Sequence, residues 1–302
     1  MIKNGSAKGQ QISESFTARV IVFLMSVGFM ISIDLQANKI LFDRDSIYPF
    51  LILLLVPASL FLKIGWHAIF TIRRSCVVIG IFVCALNNYG ILINMDDYLT
   101  LVSNQRLLYA PLCLGLLLSL LLAILEPRTA PAYTLKKSEG LVLGIFFLMA
   151  VIASVYFVLG GDLQIISLIE PRAFGLCVII MAVCCVHPEH GGLSFVEKSY
   201  RASLGAILIV ALSGLSLWTY AVTLSDVTEI GGLVSFAVLG FMYASGLGLL
   251  AISAGGQLKQ TKKDATFYDW HIIEAYAFYT LIVLPPLSFL EYFQMVMDLQ
   301  FI

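Results

Sequence analysis

Charged residues are scarce in this sequence. Of its 302 residues, only 12% are charged and 60% are hydrophobic, which gives a mean hydropathy of +0.94. A soluble domain of this length cannot hide so much apolar surface from water. The composition therefore excludes an ordinary soluble protein and predicts a chain whose solvent is largely lipid.

The sequence also lacks the motifs that usually carry catalysis or nucleic-acid binding. It has no glycine-rich phosphate loop, no nucleophile-elbow serine and no basic patch, and its net charge is −1. The six cysteines lie in or beside apolar runs without C-x-x-C spacing, which indicates small buried side chains rather than disulfides. A metal-like spacing, His187 to His190, contains Pro188, which favours an interfacial loop over a ligand pair. We expect no enzyme, no metal and no cofactor.

Nine apolar runs are each close to the roughly 20 residues that a helix needs to cross a bilayer. The runs are continuous rather than alternating, which favours helices over strands. We therefore predict an all-α polytopic membrane protein with about nine transmembrane helices. The predicted spans are 18–34, 46–64, 75–94, 107–125, 140–160, 173–187, 203–224, 231–253 and 271–293.

Positive charge is distributed unequally between the segments that join these spans. With the N-terminus inside, only four of the 18 lysines and arginines fall in outer segments: Lys39, Arg44, Arg106 and Arg172. Cytoplasmic segments of membrane proteins carry an excess of Lys and Arg. The bias predicts a cytoplasmic N-terminus and a C-terminus on the outer side of the membrane.

A short motif occurs twice at matching places. The sequence DLQ closes the first span at 34–36 and the fifth at 162–164, and acidic turns at 94–97 and 223–226 also correspond. Four spans per copy is an even number, so both copies insert with the same polarity and form parallel repeats. The predicted organisation is a cytoplasmic tail (1–17), a first four-helix unit (18–126), a cytoplasmic linker (127–139), a second four-helix unit (140–256), and a cytoplasmic loop with one extra C-terminal helix (257–302).

Three stretches of the second unit resemble the MotA/TolQ/ExbB proton-channel superfamily, most closely its MotA-type stator subunit. They are 160-GGDL-163 with 169-IEP-171, which is similar to the family's first outer turn, and 212–226 and 230–251, which are similar to its third and fourth helices. The resemblance implies an ion path beside a carboxylate that a partner supplies, with Ser213, Ser216 and Ser245 as candidate path residues. The chain departs from the family in two ways. Only residues 187–201 stand in place of the large cytoplasmic domain, and Gly240 and Phe241 replace the fourth-helix threonines.

Further polar and small residues inside the spans are candidates for a functional role. Asn87 and Asn88 lie within the third span, where they form either an interhelical hydrogen bond or a polar lining to a water-filled path. Glu274 either snorkels to the cytoplasmic interface or accepts protons at the mouth of a path. A stripe of small residues four apart predicts close helix packing on span eight: Gly240, Ala244 and Gly248.

Three functions are compatible with these features. The first, which follows from the resemblance, is a stator-like or channel-like subunit of a bacterial inner membrane with a periplasmic C-terminus. It either conducts ions with a partner or couples to one. The second is a non-conducting membrane scaffold, and the third is a secondary transporter built from parallel repeats. In each case the expected partners are the lipid bilayer and other membrane subunits, in a homo- or hetero-oligomer, and not nucleic acid.

Overall fold

A computed structural model of the chain describes residues 20–25, 27–28, 44–93, 98–125, 136–159, 168–186, 202 and 238–251. Every regular element in these ranges is helical, and none of them contains a strand. The all-α prediction is confirmed for this part of the chain. The elements are α1 (Arg44–Ser59), α2 (Phe61–Ile64), a 3-10 turn (Gly65–His67), α3 (Ala68–Ile93), α4 (Tyr98–Leu125), α5 (Lys137–Leu159), α6 (Pro171–Val186) and α7 (Val238–Ala251).

Within the described ranges, three segments are long and apolar enough to cross a membrane: Ile47–Ile64, Ala68–Gly90 and Ser138–Leu159. Shorter apolar helices occur at Ala110–Leu125, Pro171–Val183 and Val238–Ala251. Only the first three have both the length and the composition of membrane spans. The predicted spans 203–224 and 271–293 lie outside the described residues, so the count of nine and the duplication stay predictions.

The chain reverses direction between α2 and α3. Pro57 lies in the last turn of α1, and its carbonyl accepts a hydrogen bond from the Leu60 amide at 3.2 Å where the helix is interrupted. Gly65 follows with a φ of +56°, a conformation that residues with a Cβ rarely adopt. The glycine therefore permits the reversal that sends α3 back along α1.

Helix α3 lies at the centre of the described helices. It packs against α4, α1 and α5, and 94% of its most apolar stretch is buried inside the protein. Its close approach to α5 occurs at Gly90, where a Cβ would lie 3.3 Å from Val158 Cγ1. With 26 residues, α3 is about 39 Å long, which exceeds the roughly 30 Å of a hydrocarbon core.

The first turns of α3 differ from the sequence-based prediction. The helix begins at Ala68, seven residues before the predicted span, so Arg73 and Arg74 are helical rather than part of a cytoplasmic loop. No proline or glycine separates the two arginines from the apolar run, and the Arg74 guanidinium lies 4.0 Å from the centre of the Phe70 ring. This cation–π contact lets the arginine remain inside the helical packing. Helix α4 likewise begins before its predicted span, at Tyr98.

Helices α1 and α5 pack antiparallel along their length. Near the start of α1, the Tyr48 and Phe157 rings meet edge to face at 5.4 Å, and the Ser154 hydroxyl donates to the Pro49 carbonyl at 3.4 Å. At the opposite end, the Lys63 ammonium forms an ion pair with Glu139. The other face of α5 is exposed and apolar, as expected for a surface in contact with lipid: Leu141, Val142, Ile145, Leu148, Met149 and Ile152.

Helix α7 packs against α3, α5 and α6. A Cβ on Gly246 would lie 3.3 Å from the Phe82 ring on α3, and one on Gly144 of α5 would lie 3.9 Å from Leu250. On the α6 side, the Cys177 thiol donates to the Gly240 carbonyl at 3.2 Å. Gly246 of α7 and Gly144 of α5 thus lie at contacts with neighbouring helices.

Candidate functional site

The polar candidates on α3 are buried. Asn87 is 6% exposed and Asn88 is 3% exposed, within one turn of Gly90. The Asn88 Oδ1 atom accepts no hydrogen bond from any described residue. A buried amide oxygen without a donor costs on the order of 1–3 kcal/mol, so a group at this position would gain by donating to it. The Asn88 acceptor is therefore a candidate binding position for a polar group.

The hydroxyl of Ser245 is directed to its own helix. This side chain on α7 is fully buried, and its Oγ lies 2.7 Å from the Phe241 carbonyl and 3.1 Å from the Met242 carbonyl. A serine hydroxyl has one proton to donate, and here the backbone of the preceding turn accepts it. The Ser245 hydroxyl is thus satisfied as a donor by its own helix, and its place on an ion path stays a prediction.

The small residues of α7 lie inside the helix packing. Gly240, Ala244 and Gly248 are all buried, and Ala244 is fully so. The contact between the Cys177 thiol and the Gly240 carbonyl places α6 directly over the backbone of α7. A larger side chain at position 240 would obstruct this approach, which is the usual role of small residues between membrane helices.

The described residues bring two of the candidate groups onto neighbouring helices. Ser245 precedes Gly246, which contacts Phe82 on α3, and Asn87 lies five residues beyond Phe82. The remaining path candidates, Ser213, Ser216 and Glu274, lie outside the described ranges. So do His187 and His190, and the described residues contain no group of three side chains that could hold a metal ion.

Two polar features of the structure are not predicted from the sequence. One is the pair of buried arginines at the start of α3, Arg73 and Arg74, followed by a buried Ser75 whose hydroxyl donates to the Thr71 carbonyl at 2.9 Å. The signal was present, because no helix-breaking residue separates the arginines from the apolar run. Positive charge beside an apolar run nevertheless predicts a loop.

The second feature is Tyr243, which fixes the segment before α6 to α7. Its hydroxyl accepts a hydrogen bond from the Glu170 amide at 2.9 Å and donates to the Leu168 carbonyl. Its ring meets Phe174 edge to face at 5.5 Å. No motif in the sequence indicates this contact, because its partners lie more than 60 residues away along the chain.

Recesses between the described helices include the following two. One, of about 270 Å³, is bounded by the end of α1 and the start of α5 beside the Lys63–Glu139 ion pair. The other, of about 290 Å³, lies between α5, α6 and α7, and we call it the apolar groove. Its walls are almost entirely hydrocarbon and aromatic: Phe82, Phe147, Leu148, Val151, Ile152, Val155, Leu168, Ile169, Phe174, Met242, Tyr243, Gly246, Leu247 and Leu250.

Comparison with known proteins gives no relative. No family model matches the sequence, and neither a curated protein nor a solved structure shows significant similarity to it. The functional argument therefore depends on the arrangement of the chain's own residues.

Proposed function

We propose that the chain is a non-conducting structural subunit of a membrane assembly, located in a bacterial inner membrane. The observation that carries this proposal is the state of Ser245, the one resemblance-derived path residue among those described. Its hydroxyl is buried and donates to its own helix, so its proton serves the local backbone rather than a water molecule.

The packing around α7 supports the same proposal. The carbonyl of Gly240 is in contact with Cys177, and Gly246 is in contact with Phe82, so the small residues are used for close approach of helices. The exposed apolar face of α5 offers a broad surface to lipid or to the helices of another subunit. These are the features of a framework, and they require no ion path.

The proposal is tested by two variants with opposite expectations. Ser245→Ala removes a hydroxyl that serves only its own helix, so assembly and cellular function should remain intact. Gly240→Leu introduces a bulky side chain where α6 crosses α7, so the assembly should dissociate or fail to form. Gly175→Leu is the matched control, because a Cβ at Gly175 would meet nothing within 4 Å. Loss of function in Ser245→Ala with intact assembly would contradict the proposal.

A second candidate is the stator-like or channel-like subunit that the resemblance implies, and Asn88 favours it. The acceptor at Asn88 Oδ1 would suit a water, a cation or a donor from a partner subunit along a polar path. Ion flux into liposomes that contain the purified chain, with and without a single-span partner carrying a membrane carboxylate, separates the two functions. Flux that Asn88→Leu abolishes would establish the channel, and no flux in either preparation would support the framework.

A further inference from the structure

The apolar groove opens to the exterior of the helix packing. Three of its lining residues are largely exposed: Leu148 (58%), Ile152 (50%) and Ile169 (65%). The side chains at its floor are buried, among them Phe147 and Met242. The groove is therefore a recess in the surface and not a sealed void.

The size of the groove limits what can occupy it. Its volume of about 290 Å³ is roughly twice that of the ~150 Å³ cavity known to accept benzene, so it has space for about a dozen carbon atoms. A helix with side chains is about 10–12 Å across, too wide for a recess of this volume. A single flexible hydrocarbon chain fits these dimensions.

The groove is elongated in the direction of α5. It extends from Val155 to Phe147, eight residues or roughly 12 Å along the helix. Leu168 and Ile169 lie at the end near Tyr243, because the Tyr243 hydroxyl is bonded to the Leu168 carbonyl. Leu250 lies near the other end, beside Gly144.

Two opposite charges, Glu170 and Arg172, follow Ile169 in the sequence at one end of the groove. Glu170 is held there by its amide hydrogen bond to Tyr243, and its carboxylate lies 3.4 Å from the amide of Arg172. Arg172 is exposed, and Glu170 is partly exposed. A carboxylate and a guanidinium two residues apart complement a headgroup that carries both an ammonium and a phosphate.

We propose that the apolar groove binds one acyl chain of a zwitterionic phospholipid, with Arg172 facing the phosphate and Glu170 facing the ammonium. The inference rests on the membrane location in the proposed function, but not on whether the chain conducts ions. An ordered lipid at this position would fill the space between α5, α6 and α7.

The acyl-chain part is tested by photolabelling in nanodiscs of phosphatidylethanolamine with a carbene-generating group in the acyl chain. Labels should concentrate on peptides that contain 147–155 and 242–250. Val151→Trp, which places an indole in the groove, should reduce this labelling to background. Met149→Trp changes an exposed residue on the same helix that does not line the groove, and it should have no effect. Equal labelling in both variants would overturn the proposal.

The headgroup part is tested by native mass spectrometry of the wild-type chain and two charge variants. We expect the wild type to retain phosphatidylethanolamine in preference to phosphatidylglycerol. Arg172→Gln and Glu170→Gln should each weaken retention by roughly two- to fivefold, the contribution of one exposed ion pair. Preference for the anionic lipid, or retention unchanged by both variants, would overturn the assignment. Subunit assembly, followed separately by size-exclusion chromatography, distinguishes failure of the lipid site from failure of the proposed function.

Discussion

Helices α3 and α5 have similar lengths and opposite surroundings. In the most apolar stretch of α3, 94% of residues are buried inside the protein, whereas the figure for α5 is 22%. The enclosed helix is nevertheless the less apolar of the two, with a mean hydropathy of 2.0 against 2.7. In water the order would be reversed, because the enclosed helix of a soluble protein is the most apolar one.

The two helices differ in burial because their polar side chains need different numbers of hydrogen-bond partners. Lipid offers no hydrogen bonds, so polar side chains of a membrane helix are best placed against other helices. Helix α3 carries Arg73, Arg74, Asn87 and Asn88, all of them buried. On α5 the buried Ser154 donates its hydroxyl to carbonyls of its own helix and of α1. The helix with more polar side chains is therefore the one that other helices enclose, although its mean hydropathy is lower.

The largest expected change in the free energy of unfolding comes from replacing a buried isoleucine of α3 by alanine, compared with an exposed isoleucine of α5. Ile79 on α3 is fully buried, and Ile145 on α5 is 53% exposed. Ile79→Ala should lower the free energy of unfolding by roughly 2 kcal/mol or more, because it leaves a cavity among packed helices. Ile145→Ala should change it by less than about 0.5 kcal/mol. Unfolding by SDS titration measures both, and equal losses would mean that the two helices share one environment.

A smaller effect is expected where α3 and α5 touch. Gly90→Ala places a Cβ 3.3 Å from Val158 Cγ1, whereas Gly175→Ala on α6 meets nothing within 4 Å. Alanine favours a helix over glycine by about 0.5–1 kcal/mol, so Gly175→Ala should stabilise the protein by that amount. Gly90→Ala should lose this gain and become destabilising by about 1 kcal/mol. Thermal unfolding of the two variants compares them, and stabilisation by Gly90→Ala would show that the helices are further apart.

Substitution of Asn88 should change the free energy of unfolding by a similar amount, but in the stabilising direction. Asn88→Leu removes a buried acceptor without a donor, so it should be neutral or should stabilise the fold by up to about 1 kcal/mol. The same SDS titration measures this change. A clear loss of stability would show that Asn88 binds water or a partner group, which would favour the channel-like function.

The smallest effect is expected at the polar end of α1 and α5. The Lys63–Glu139 ion pair is partly exposed, with side-chain accessibilities of 40% and 27%. A double-mutant cycle with Lys63→Met and Glu139→Gln should give only a small coupling, which decreases as salt is added. A coupling that is large and independent of salt would place the pair in a more enclosed site than its exposure indicates.

Sequence patterns predicted the helices whose ends are marked by polar residues. The predicted span 140–160 agrees closely with α5, and 46–64 corresponds to α1 and α2, because Lys63 and Lys137 bound the apolar runs. The start of α3 was missed, since Arg73 and Arg74 carry the charge expected of a loop. Their place inside the helix depends on the packing of other helices, which periodicity does not encode.

The candidate site was predicted only in part. Asn87, Asn88 and the small residues of α7 were identified because polar or small residues within an apolar run are unusual. The apolar groove and the role of Tyr243 could not be identified, because they arise where three helices distant in sequence meet. The likeness to the MotA-type family stays a prediction.

The contrast between α3 and α5 can be measured directly on the wild-type protein in a lipid bilayer. An apolar carbene-generating reagent dissolved in the bilayer should label α5 at Leu141, Ile145, Leu148 and Met149, once or twice per turn on one face. Residues 76–88 of α3 should remain at background. Labelling of α3 as strong as that of α5 would contradict the enclosure of the polar helix by its neighbours.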